Sequence, residues 1–157
     1  MASRLAEPLP HVIAPPPLIY LVAVALVLAL HTRHPLPLSG GGWASVLGGG
    51  LLGGGGLLVA WAFRTMAGAG TTGSPFGQVT ALVTDGPFRF SRNPIYLAMT
   101  GIYLGVGLVA NTWWAVGVLP LMLLVVRFGA IHREERRLER QFGAAYHAYA
   151  ARVRRWF

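Results

Sequence analysis

Residues 95–128 read IYLAMTGIYLGVGLVANTWWAVGVLPLMLLVVRF: two apolar runs, parted by Asn111-Thr112, with no charge before Arg127. Chains this apolar escape water by entering lipid or a core of their own kind, and a two-residue connection forces them to double back. Residues 95–110 and 113–128 are therefore expected to form an antiparallel helical hairpin. Each arm is slightly short for a bilayer core, which takes about 20 residues, so both should extend into their flanks. Pro120 should bend the second arm.

Two more runs of similar character precede the hairpin. Residues 12–30 carry no charge, and Pro15-Pro16-Pro17 suits the start of a helix better than its interior. The charged cluster His31-Thr32-Arg33-His34 stands where a signal peptide would end in small residues, so a retained span is expected. Residues 43–63 contain Gly48-Gly49-Gly50 and Gly53 to Gly56. In water such glycines would weaken a helix, but in lipid the backbone has no alternative partner and glycine lets helices approach closely. This run lacks a βαβ frame, so it is not a dinucleotide-binding loop.

Composition agrees with these four spans. Of 157 residues, 54% are hydrophobic and only 11% charged, against about a quarter charged in soluble domains. The expected fold class is an all-α integral membrane protein with about four transmembrane helices, organised as a single domain over residues 1–157. The formal charge of +8 comes from thirteen arginines against five acidic residues. Beside apolar spans, without an aromatic-basic motif, that excess indicates a membrane face and no nucleic acid. Twelve arginines fall with the N-terminus, residues 64–94 and the C-terminus, and Arg33 alone falls opposite. The positive-inside rule then sets both termini and the 64–94 loop in the cytoplasm, the inner membrane being the expected location. Cysteine is absent, and His11, His31, His34, His132 and His147 have no metal-ligand spacing, so no metal is assigned.

Beyond Phe128 the pattern becomes amphipathic. At 100° per residue, Ile131, Leu138, Phe142, Ala145 and Tyr149 share one stripe, and Arg133, Arg136, Arg137 and Arg140 share the other side. A C-terminal amphipathic helix over residues 130–150 follows, lying on the cytoplasmic surface. Glu134 and Glu135 fall at the stripe's margins and turn partly inward. Because the hairpin returns the chain to its starting side, these carboxylates should meet the polar run Leu82-Val-Thr-Asp-Gly-Pro-Phe-Arg-Phe-Ser-Arg-Asn-Pro-Ile-Tyr96 at one membrane face. Polar groups gathered just before a buried span usually have a task.

That run, followed by Arg133-Glu134-Glu135, Phe142-Gly143, Tyr146 and Tyr149, resembles the isoprenylcysteine carboxyl methyltransferase family, whose pattern the membrane phospholipid methyltransferases share. The resemblance covers the chain from Gly70-Thr71-Thr72 onward. It implies methyl transfer from S-adenosylmethionine to a lipophilic acceptor, either a small molecule or a prenylated one. By position, the family's cofactor contacts fall on Leu82, Val83, Phe88, Asn93, Pro94, Ile95, Tyr96 and Glu134. Glu134 would pair with the cofactor's ammonium, and charge adds Arg92 or Arg89 as partners for its carboxylate. A phospholipid headgroup is an equal partner for either arginine.

An acceptor carboxylate is already ionised near neutral pH and needs only alignment, whereas an amine must lose a proton, with Glu134, Glu135 or Tyr96 as candidate bases. Three positions depart from the family pattern. Asn93 stands where many relatives have histidine and cannot titrate. Phe88 replaces a common tyrosine. Ala130 occupies the place of an arginine that holds a prenylcysteine carboxylate, leaving Arg127 or Arg133 as substitutes for substrate binding. Phospholipid amine N-methylation is the alternative activity. A non-enzymatic scaffold assembled through the glycine-rich span is the more distant one, and oligomeric state is not legible. Trp113 and Trp114 suit interfacial anchoring, and Tyr146 and Tyr149 either pack or close the site.

Overall fold

The computed structural model describes residues 15–38, 42–71 and 80–156. Residues 12–14 of the expected first span and 72–79 of the expected loop lie outside them. Six helices carry the described chain: α1 (Pro16–Arg33), α2 (Trp43–Gly68), α3 (Pro94–Val109), α4 (Trp114–Val126), α5 (His132–Phe142) and α6 (Ala144–Arg152). No strand occurs among the described residues, the only β pairing being an isolated bridge between Pro37 and Thr112. By length and composition α1, α2 and the continuous stretch Trp114–Phe142 can each cross a membrane; α3 is apolar but shorter, at 16 residues. The chain is an all-α membrane protein.

Helix starts follow local chemistry. Proline occupies the first turn of both α1 and α3, where its missing N–H costs nothing and its fixed φ favours helix. The four apolar helices run up and down. At one end, Trp113 N–H donates to Leu36 O at 2.9 Å, Leu38 N–H to Asn111 O at 3.3 Å, and Trp114 Nε1 to His34 O at 2.7 Å. These bonds tie the α1 exit to the α3–α4 turn, in which Asn111 takes a left-handed φ of 51°. At the other end gather the start of α1, the end of α2, the start of α3 and the end of α4.

Lipid tails are as apolar as leucine, so packing and internal hydrogen bonds must hold these helices together. Along α2, Ala44, Gly48, Gly55 and Ala62 are buried, a seam of small residues against α3. A Cβ on Gly48 would lie 2.8 Å from the Gly105 carbonyl, and one on Gly105 would lie 2.8 Å from the Gly48 carbonyl. Backbone meets backbone there. Gly55 repeats the approach against Ala98 O, at 2.9 Å. By contrast Gly49, Gly50, Gly53, Gly54 and Gly56 are exposed, with nothing within 4 Å of a Cβ. Hydrogen bonds pin the other helices: Tyr20 Oη donates to Tyr96 O at 3.1 Å and Tyr103 Oη to Ala115 O at 2.8 Å. In a membrane each such bond contributes about 0.6–2 kcal/mol. A core of Tyr20, Val27, Tyr103, Met122, Val126 and Ile131 fills the space between.

The end of α4 differs from the sequence expectation of a hairpin arm followed by a separate surface helix. Arg127–Ile131 form a π-type turn in which the His132 N–H reaches the Arg127 carbonyl, and helicity continues unbroken into α5. The 130–150 helix is instead divided further on. Gly143 adopts φ 48°, a conformation glycine takes without strain, and it ends α5 and starts α6 on a new phase. Tyr146 is buried in consequence and Ala145, which the wheel put on the inner stripe, is exposed, while Tyr149 is buried as the wheel had it.

Gly48→Val should destabilise the folded protein by about 1–3 kcal/mol through overpacking at this crossing. Gly50→Leu should leave the thermal midpoint in detergent unchanged. Equal damage from the two would show that the seam does not control stability.

Candidate active site

The polar run before α3 is shaped by two turns. Gly86–Arg89 form a single 3₁₀ turn, entered through Gly86 at φ 57°. A Cβ on Gly86 would also lie 2.5 Å from Thr65 Oγ1, so the loop can press against the end of α2 only with glycine at this position. Pro87 is buried beneath the turn. The chain then passes through Ser91 and Asn93, both buried, into α3.

What holds this loop is the C-terminal tail. Arg92 N–H donates to Arg154 O at 3.0 Å, Ser91 Oγ to Arg155 O at 3.1 Å, and Asn93 Nδ2 to Arg155 O at 3.3 Å. The Asn93 amide is thus occupied in bracing the tail. The Arg155 side chain crosses to α5 and grips Glu135 with both arms, Nη2 to Oε2 at 2.7 Å and Nε to Oε1 at 2.9 Å. This bidentate pair pushes the guanidinium pKa up, since its hydrogen bonds to Glu135 favour the charged form. On α6, Tyr149 Oη donates to the Phe88 carbonyl at 2.7 Å, and burial pushes its pKa up to about 12. The phenol therefore remains a donor at any physiological pH.

These braces enclose a cavity of about 60 Å³ between α2, the loop, α5 and α6. Its apolar wall comes from Met66, Leu82, Val83, Phe88 and Leu138, and its polar groups from Arg92, Asn93, Glu134 and Glu135. Of the positions singled out in the sequence, Leu82, Val83, Phe88, Arg92, Asn93, Glu134, Glu135, Tyr146 and Tyr149 converge here. Tyr96 adjoins them, its hydroxyl donating to Glu134 Oε2 at 3.0 Å, while Glu134 itself keeps an exposed surface on the cavity. Pro94 and Ile95 do not line it; Pro94 is buried at the first turn of α3. Arg127 is exposed on the π-type turn, over the Phe128 ring at 5.7 Å, and Arg133 is half-buried; neither reaches the cavity wall. Between the two arginines offered for an anion, Arg89 is exposed and outside, and Arg92 is inside.

Arg92 is the unusual member. Nη1 meets Tyr146 Oη at 3.3 Å and stands 3.8 Å from Glu135 Oε1, but its buried Nε has no protein acceptor. Enclosed donors are rarely left so, and the guanidinium has capacity for an anionic group. Sequence reasoning missed Arg155, Ser91, Met66, Thr71 and Leu138. Arg155 looked like one more cytoplasmic arginine, and no periodicity links it to Glu135 across the Gly143 break.

The all-α membrane bundle thus carries a cavity with both charged and apolar walls, bounded by α2, the loop before α3, α5 and α6. A family model for phospholipid methyltransferases matches residues 43–145, more than half of the chain, from α2 through the first turn of α6. The chain belongs to the phospholipid methyltransferase family, and it is a membrane methyltransferase. The family resembled in the sequence is related to it. No curated protein and no solved structure matches the chain.

Tyr149→Phe removes one hydrogen bond and should cost about 0.5–1.5 kcal/mol. Amide hydrogen exchange should accelerate in Ala144–Arg152 and not in α2 or α3, which would locate the loss at the loop–α6 contact.

Proposed function

We propose that this methyltransferase takes its methyl group from S-adenosylmethionine and delivers it to a lipophilic acceptor at the cytoplasmic face. The observation that carries this reading is the convergence of a carboxylate, an arginine with donors to spare and an apolar wall in one cavity. The residues fit the cofactor's chemistry: Glu134 suits its ammonium, Arg92 its carboxylate, and Leu82, Val83 and Phe88 its adenosyl part, with backbone groups of Leu82 and Val83 at the adenine edge. When bound, the cofactor supplies a methyl group on a positively charged sulfur. The cavity enclosed by the described residues measures about 60 Å³, and the charged and apolar groups of its wall stand side by side within it.

Residue chemistry bears on the acceptor as well. Glu135 has both oxygens on Arg155. Glu134, with Tyr96 donating to it, is committed to the ammonium. Among the described residues no carboxylate lining the cavity is then left to take a proton. That favours an acceptor already ionised, a carboxylate, as in isoprenylcysteine carboxyl methylation, with orientation as the protein's main contribution. Arg127 or Arg133 would engage the acceptor's headgroup from outside the cavity. The alternative, N-methylation of a phospholipid amine, has the family model in its favour and requires Glu134 or Tyr96 as the base. The single domain, its four spans and the cytoplasmic location of the site and both termini belong to the same proposal, supported by the sequence distribution of arginine, of which twelve of thirteen fall with the N-terminus, residues 64–94 and the C-terminus.

Purified protein should bind radiolabelled S-adenosylmethionine in equilibrium dialysis, and Glu134→Gln should weaken binding about tenfold to a hundredfold, as loss of a charge-assisted hydrogen bond does. Absence of binding by the unaltered protein would overturn the reading. For the acceptor, labelled membranes extracted into organic solvent and treated with base release the label from an ester and retain it on an amine.

A further inference from the structure

Arg155 does not line the cavity, yet it decides what two of the lining residues can do. Glu135 Oε1 lies within 3.8 Å of Arg92 Nη1, and Glu135 and Arg92 are both largely enclosed, at 13% and 16% side-chain exposure. A carboxylate and a guanidinium that close, shielded from water, would pair in two-pronged fashion unless something competed. Arg155 competes, taking both Glu135 oxygens at 2.7 and 2.9 Å. Arg92 is left with Tyr146 at 3.3 Å, the long approach to Glu135, and an unpartnered Nε.

We propose that Arg155 is a positioning residue for the anion-binding function of the site: by capturing Glu135 it keeps Arg92 available for the carboxylate of S-adenosylmethionine. This rests on the cofactor reading above and adds to it a specific electrostatic device. The tail's backbone contacts are a separate matter. Ser91 and Asn93 bond to the Arg155 carbonyl and Arg92 to the Arg154 carbonyl, so shortening the Arg155 side chain leaves those braces in place.

The device has a signature that a simple structural brace lacks. Arg155→Leu frees Glu135 to capture Arg92, and affinity for S-adenosylmethionine falls by about tenfold or more. Adding Glu135→Gln removes the capturing charge, so the double variant R155L/E135Q recovers affinity to within about threefold of the unaltered protein. If Arg155 only held α5 and the tail together, the double variant would bind as poorly as the single one. The measurement is equilibrium dialysis of purified protein in detergent, with thermal midpoints confirming that each variant is folded. Should Arg155→Leu not fold, the double variant decides alone, and a loss beyond about tenfold overturns the proposal. Undiminished binding by a folded Arg155→Leu also overturns it while leaving the cofactor reading intact. If the unaltered protein does not bind, the cofactor reading falls and takes this inference with it.

Discussion

The backbone contact between Gly48 and Gly105 is the constraint on which the rest of this fold depends. In a bilayer no hydrophobic force drives helices together, so the pair that packs most closely sets the frame. Because α2 and α3 touch carbonyl to Cα, their axes are held at one separation and one register. That register delivers Thr65 and Met66 to the same level as Gly86 and Asn93, where the loop must fold back on α2. A side chain at the seam would meet the facing backbone of α3 directly.

The second layer of organisation is polar and lies outside the apolar spans. The loop before α3, helix α5 and the last residues of the chain are far apart in sequence, and each presents groups the others lack. Loop donors at Ser91, Arg92 and Asn93 meet tail carbonyls, and the tail's guanidinium meets the Glu135 carboxylate. Hydrogen bonds and one strong ion pair join these segments around the apolar wall of Met66, Leu82, Val83, Phe88 and Leu138.

Much of this was legible in the sequence. The hairpin follows from two apolar runs and a two-residue turn, and the meeting of the 82–96 run with Glu134 and Glu135 follows from the hairpin's return. Nine of the residues singled out from the sequence line one cavity, and Tyr96 reaches it through Glu134. What stayed hidden depends on backbone conformation or on distant pairing. The left-handed Gly143 rephases the C-terminal helix, so that Ala145 leaves the inner stripe and Tyr146 enters the core; no 100° wheel contains that step. Arg155 is separated from Glu135 by 20 residues and that break, and among so many arginines nothing marked it out. Likewise, composition could identify the glycines of α2 as small but not divide them into the seam formed by Gly48 and Gly55 and the exposed set around Gly50.

The π-type turn at Arg127–Ile131 joins a membrane-spanning segment to the helix that bears both glutamates, with no hinge between them. Each residue of an α-helix advances the azimuth by about 100°, so this wider turn sets which side of α5 faces the cavity. The i→i−5 bond takes one residue more than an α-turn for the same rotation, so the turn accommodates an extra residue while Glu134 stays directed at Tyr96. This short stretch is therefore where the chain tolerates a change of length: one residue fewer lets the turn close as ordinary α-helix, and both the apolar span and the face that carries Glu134 keep their places.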